Sequence, residues 1–182
     1  MESKYIKTYD NVLTKEQCQH IIDKFEDSKE QWQKTELENH RSFTEINLNL
    51  HDDWKEYVKI IYTHMRPYID KYAEEFKITH NWPEKFGWEH IRIKKYEVNN
   101  KDEFKEHVDV MDYASAKRFL VFFLYLNNNE GGLTSFGEYG INVKPEAGRM
   151  LMFPPLWTHK HAGTMPIKEP KYIIGSYLHY VW

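Results

Sequence analysis

Glu106-His107-Val108-Asp109-Val110 decides how this 182-residue chain is read. On an extended segment successive side chains point to opposite faces, so a His-x-Asp pair sets an imidazole and a carboxylate side by side. Two ligand groups suited to a divalent first-row metal are then preplaced. One imidazole from a distant strand would complete a two-His, one-carboxylate triad, which grips Fe(II) on one side and leaves other coordination positions open. His161, 52 positions after Asp109 (161 − 109), is the candidate.

His-x-acid alone is a weak signal, and the chain contains a second instance, His51-Asp52-Asp53. That one falls where a long helix begins, so Asp52 and Asp53 read as N-terminal acids that complement the helix dipole. The pair at His107 and Asp109 is instead followed by strand-like sequence and then by His161-Ala162-Gly163.

Several further motifs stand in order around it. Ile93-Lys94-Lys95-Tyr96 precedes Phe104, which opens an F-x-x-H-x-D segment with His107 and Asp109. Gly131-Gly132-Leu133-Thr134-Ser135-Phe136 forms a G-G-x-T-x-F turn. Gly148-Arg149-Met150-Leu151-Met152-Phe153-Pro154 leads toward His161, and Lys171 follows His161 by ten residues (171 − 161). Over about residues 86 to 182 this series resembles the Fe(II)- and 2-oxoglutarate-dependent dioxygenases, and within them the prolyl 4-hydroxylase-like branch, including its short bacterial and phage versions. The resemblance implies that His107, Asp109 and His161 are the iron ligands. It further implies that Lys171 pairs with the distal carboxylate of 2-oxoglutarate, with hydroxyl contacts from Tyr96 and Thr134. A lysine suits that task as a compact ionised group with three donors. One departure lies near the end, where many relatives have Gly-Trp after the Lys strand and this chain reads Gly175-Ser176-Tyr177.

Plainer readings compete at each position. His159 would share a face with His161 on an extended segment; the spacing to Lys171 and the following Gly163 favour His161, leaving His159 a supporting or substrate-side group. His179 reads as a strand residue outside the site. Lys171 opens the apolar run Tyr172-Ile173-Ile174, which argues that it points inward rather than lying on the surface. Tyr96 reads equally well as a core or rim tyrosine whose hydroxyl needs some partner.

Twenty-five basic and 28 acidic residues leave a formal charge of −3, so no strong field for nucleic acid or an anionic membrane is advertised. Arg92, Lys94 and Lys95 cluster, which on a strand reads as a solvated edge. The single Cys18 rules out an intrachain disulfide framework and suits a reducing interior. With no signal-peptide pattern and no apolar run near the roughly 18 residues a bilayer requires, the expectation is a soluble, cytoplasmic protein.

Thr14 with Gln17 three residues on reads as a capping box that opens a first helix, with Cys18, Ile21, Ile22 and Phe25 on its apolar face. A second helix is expected from about Asp52 to Phe76, kinked or split by Pro67. From Phe86 the pattern changes to strand-like runs: Trp88 to Tyr96, Arg118 to Leu126, Ile141 to Val143, Arg149 to Phe153 and Tyr172 to Trp182. The fold class is mainly β with N-terminal helices (α+β), and the resemblance implies a double-stranded β-helix, or jelly roll. One domain is expected over 1–182, with supporting helices and early strands in 1–80 and the motif-bearing core in 86–182. Tyr113, Tyr139 and Trp157 are candidates to line the mouth.

The activity implied is an Fe(II)- and 2-oxoglutarate-dependent hydroxylation that consumes O2, is supported by ascorbate, and releases succinate and CO2. A prolyl or similar residue of a peptide or protein is the favoured substrate. Alternatives are a free amino acid, another small molecule or an alkylated base, and, in a different class, a non-catalytic jelly-roll binding or structural protein. Neither a membrane nor nucleic acid is an expected partner.

Overall fold

A computed structural model describes residues 5–182. The capping box forms as read: the Thr14 hydroxyl accepts from the Gln17 N–H, and the Gln17 side chain accepts from the Thr14 N–H. In chain order the elements are β1 (Lys7–Tyr9), α1 (Lys15–Asp27), β2 (Gln33–Leu37), β3 (Arg41–Asn47), α2 (Lys55–Glu75), β4 (Phe86–Trp88), β5 (Arg92–Tyr96), β6 (Phe104–His107), β7 (Arg118–Tyr125), β8 (Thr134–Phe136), β9 (Ile141–Val143), β10 (Met150–Phe153), β11 (His161–Gly163) and β12 (Lys171–Tyr180). No helix among the described residues is long and apolar enough to cross a membrane.

Every pairing is antiparallel, and the strands join in the order β1-β10-β7-β12-β5-β3-β6-β11-β8-β9, with β2 on β3 and β4 on β12. Period-two alternation divides the central strands between two cores. Leu120, Phe122, Leu124, Met150, Met152 and Ile174 pack against the apolar stripes of α1 and α2. Their neighbours Val121, Tyr125, Leu151, Phe153 and Ile173 face the other way and meet Phe43 of β3, Phe136 of β8 and Val143 of β9. Strands far apart in the pairing order thus share one core, so the sheet curls until its two ends face each other; the Phe136 and Phe153 rings meet edge to face at 4.8 Å. Burial on both faces explains why β7 is almost continuously apolar.

Two expectations need correction. Of the two outcomes expected of Pro67, a kink or a split, the split does not occur: the second helix runs unbroken from Lys55 to Glu75 after a short 3-10 turn at Asp52–Trp54. Pro67 and Thr63 lie on the exposed side, so the Thr63 carbonyl deprived of its donor faces water, while Ile61, Met65, Ile69 and Tyr72 hold the buried side in place. The cluster Arg92, Lys94 and Lys95 is not an edge: β5 lies between β12 and β3. Lys95 points toward the helices and is clamped by Glu26 at 2.8 Å and Glu97 at 2.7 Å. Asp52 and Asp53 do lie at the start of the helix, where Asp52 pairs with Lys55 at 2.9 Å and Asp53 with Lys24.

Candidate active site

Cross-strand pairing brings the three predicted ligands together. In the β11–β6 register His161 stands directly opposite His107, so their rings meet at 4.3 Å between centroids. Asp109, two residues beyond His107, turns to the same side, its N–H donating to the Pro155 carbonyl at 3.1 Å. One potential ligand atom from each of His107, Asp109 and His161 lies within 4.8 Å of the others, and this is the only such grouping of three or more among the described residues.

The surroundings prepare the ligand atoms. Each imidazole directs Nδ1 at a carbonyl, His107 to Lys105 O at 2.7 Å and His161 to His159 O at 3.1 Å. A carbonyl only accepts, so Nδ1 carries the proton and the Nε2 lone pair is free to bind a metal. Burial, with the neighbouring His161 second, pulls the His107 imidazole down to about 4. Burial also holds His161 below its ordinary value. Both rings are therefore neutral at physiological pH. His161 Nε2 and Asp109 Oδ2, 3.5 Å apart, are buried without a hydrogen-bond partner. A buried orphan acceptor and an orphan carboxylate oxygen facing each other are costly alone, and a divalent cation relieves both. By this test the residues fit a metal ion.

Asp109 is braced by groups that sequence reading passed over. The Tyr177 hydroxyl donates to Asp109 Oδ1 at 2.7 Å. Arg118 donates to the Asp109 carbonyl at 2.8 Å, lies over the Tyr177 ring at 3.9 Å, and forms a two-pronged pair with Glu89 at 2.8 Å on each oxygen. The departure Gly175-Ser176-Tyr177 thus supplies a hydroxyl beside the ligand set. Counting by twos along β12 from Lys171 through Ile173 and Gly175 would have put Tyr177 on the pocket face.

Deeper in the same pocket lies Lys171, 1% exposed, where β12 begins opposite Tyr96. Its ammonium donates to the Gly132 carbonyl at 3.0 Å and lies 4.3 Å from the Tyr96 ring centre. Gly132 permits this approach: its φ is +55°, and a Cβ there would come within 3.0 Å of the Lys171 side chain. Burial, followed by the nearby Lys94, pulls the Lys171 amine down to about 7. No carboxylate of the described residues pairs with it, so the pocket presents a buried amine that an anion would hold in its protonated form. Thr134 also lines the pocket, and its hydroxyl shares a 2.6 Å hydrogen bond with Tyr125.

His159 does not join the cluster. Its carbonyl orients His161, and its ring packs on Tyr139 at 5.5 Å. Tyr139 is occupied by that packing and by its hydrogen bond to the Thr158 carbonyl, and neither it nor the exposed Tyr113 and Trp157 lines the groove above the triad. The groove is lined instead by His40, Arg41, Phe43, Arg92, Lys94 and Phe104.

Comparison with known proteins agrees with this geometry. Residues 91–179 match the family model described as the 2OG-Fe(II) oxygenase superfamily, a span that contains the triad, Tyr96, Thr134 and Lys171. No curated protein matches the sequence significantly. Among solved structures, a viral collagen prolyl hydroxylase from Paramecium Bursaria Chlorella virus-1, in complex with 2OG, superposes with a TM-score of 0.77 at 19% identity, covering 99% of this chain and 98% of that one. A prolyl hydroxylase from Trichoplax adhaerens, in complex with a hypoxia inducible factor peptide fragment, gives 0.76 at 14% identity over 97% and 84% of the two chains. A Pseudomonas putida prolyl-4-hydroxylase gives 0.70 at 14% identity over 99% and 95%. At such identities the likeness is one of fold. Motif order, converging ligand atoms and the family match together identify residues 91–179 as a 2OG-Fe(II) oxygenase domain, in a chain whose fold is like that of the prolyl hydroxylases.

Proposed function

We propose that the curled sheet is a double-stranded β-helix in which His107 Nε2, Asp109 and His161 Nε2 hold Fe(II), and that the protein hydroxylates a prolyl or similar residue of a peptide. The observation that carries this reading is the juxtaposition of buried, partnerless metal-binding atoms with the buried Lys171 amine, which no carboxylate pairs, in one pocket. Iron and 2-oxoglutarate, when bound, supply the oxidising chemistry, in which O2 and 2-oxoglutarate yield succinate, CO2 and one oxygen atom for a C–H bond.

The chain's own residues do the positioning. Lys105 and His159 carbonyls fix both imidazoles in the metal-binding tautomer. Tyr177 and Arg118 fix the Asp109 carboxylate and backbone. Lys171, backed by the Tyr96 ring, receives the distal carboxylate of 2-oxoglutarate and sets which way that molecule lies. Phe123, Phe153 and Phe136 pack around His161 and keep water from the metal-facing nitrogen. A peptide reaches the triad through the groove at Phe104 and Lys94. Support for a peptide comes from the neighbours, one of which was solved with a peptide fragment bound.

The reading is tested by incubating purified protein with Fe(II), 2-oxoglutarate, ascorbate and proline-containing peptides. Succinate should form in step with a gain of one oxygen by a peptide. Absence of both, from protein shown to carry iron, would contradict it.

A further inference from the structure

The groove outside the triad holds cations that the proposed chemistry does not use. On β5 the pocket-facing side chains ascend from Tyr96 through Lys94 to Arg92, and their partners on β12 are Lys171, Ile173 and Gly175. Lys94 therefore lies one rung nearer the mouth than the Lys171 that receives the cosubstrate. Its ammonium is 4.7 Å from the Phe43 ring centre and 5.9 Å from that of Phe104. Arg41 approaches the same Phe104 ring at 5.6 Å. Phe104 in turn stacks on His107 at 3.5 Å and 8°. Two cations thus flank the aromatic ring that carries a proposed metal ligand.

Neither cation forms an ion pair with a carboxylate of the described residues, although the charges of Glu45 and Asp109 both reach Lys94. Of those two carboxylates, Glu45 is engaged by Arg92 at 4.0 Å and by the Thr35 hydroxyl at 3.1 Å, and Asp109 by the Tyr177 hydroxyl at 2.7 Å within the proposed metal site. Glu89 is taken by both prongs of Arg118. The Arg41 Nε is buried with no hydrogen-bond partner at all. Arg41 lines the outer groove and not the inner cosubstrate pocket, whereas Lys94 lines both, so the pair faces the substrate side.

We infer that Lys94 and Arg41 form a carboxylate subsite that selects a substrate bearing an anionic group next to the residue being hydroxylated. This rests on the oxygenase reading above and deepens it. The carboxylate is either an Asp or Glu side chain flanking the target residue, or the α-carboxylate of a C-terminal target residue. Charge-assisted hydrogen bonds in a partly dry site discriminate against the neutral amide by about tenfold or more.

The test is affinity selection on immobilised protein loaded with Mn(II) and 2-oxoglutarate. The probe is a proline-centred heptapeptide library in which Asp and Glu members are matched by Asn and Gln members, all as C-terminal amides. A second set has neutral flanks and ends in proline, as free acids and as amides. Retention of Asp and Glu members about tenfold above their amide counterparts assigns the subsite to side chains. The same preference for free acids in the second set assigns it to an α-carboxylate. Either preference should collapse in Lys94→Met and in Arg41→Gln, which gives two independent variants should one fail to fold. Equal retention of acidic and neutral members by the natural protein, including retention of none, overturns the subsite. The visible absorption of the same preparation reloaded anaerobically with Fe(II) and 2-oxoglutarate reports separately on the parent reading: a band without carboxylate preference refutes the subsite alone, and no band refutes the oxygenase assignment itself.

Discussion

Each pocket residue owes its role to what surrounds it. Lys171 is the sharpest case, because its neutral form is favoured by burial until an anion arrives. The lysine ordinarily titrates at 10.5, while the folded ligand-free amine titrates near 7. A carboxylate binds the protonated form, so 2-oxoglutarate affinity should weaken as pH rises above about 7 and hold steady below it. Isothermal titration at several pH values checks this, and in Lys171→Met that slope should vanish. The unfolded chain keeps the proton over the same window, so the stability of the ligand-free protein should rise between about pH 7 and 10.5 and carry the full burial cost below 7. Lys171→Ala should raise the KM for 2-oxoglutarate by about 10- to 100-fold, with metal binding kept. Tyr177→Phe removes the hydroxyl on Asp109 and should lower metal affinity by roughly 10- to 100-fold, measurable by competition with a chelating dye. The pairing of His107 with Asp109 was legible from strand period, while His161 and Lys171 were legible through the order and spacing of motifs that resemble the family. Lys94 was read as part of a solvated edge, Tyr177 only as a departure from the family pattern and Arg41 not at all, because a hydroxyl or a cation signals nothing until the fold shows what it faces.

Elements obeyed local chemistry where a local rule was decisive. The Thr14 capping box and the apolar faces of both helices formed as read. Pro67 shows where local reasoning stops: its cost depends on whether the freed carbonyl meets water or protein, and here it meets water. Replacing it should still help, since proline inside a helix is worth less than alanine; Pro67→Ala should stabilise the fold by roughly 1–3 kcal/mol in urea unfolding with an unchanged m-value. Gly148 is the opposite case. Its φ is +81°, and a Cβ there would lie 2.1 Å from the Leu13 carbonyl, at the junction where Val12 N–H bonds to Gly148 O. Gly148→Ala should cost about 2 kcal/mol or more by the same measurement. The misreading of β5 as an edge has a comparable origin. Whether a charged strand is central is decided by β3 and β12, which lie far away in sequence.

Across the whole molecule, two helices stiffen one side of the curled sheet and leave the other side to form the pocket. That division was visible in outline as a helical N-terminal third followed by strands. The central position of β3, drawn from that N-terminal third, was not, because a short strand of mixed character becomes structural only through its partners. A folded protein that binds a metal and a cosubstrate is stabilised by both, so Mn(II) with 2-oxoglutarate at about 100 times the dissociation constant should add roughly 2.7 kcal/mol. The central claim is that the buried triad and Lys171 form one metal and cosubstrate site. Anaerobic titration of Fe(II) and 2-oxoglutarate tests it most directly, followed by the weak visible charge-transfer band of a chelated complex. The account predicts a saturable band in the natural protein that is lost in His107→Ala while the far-ultraviolet circular dichroism is kept; a folded protein that gives no band, or a band that survives His107→Ala, would contradict it.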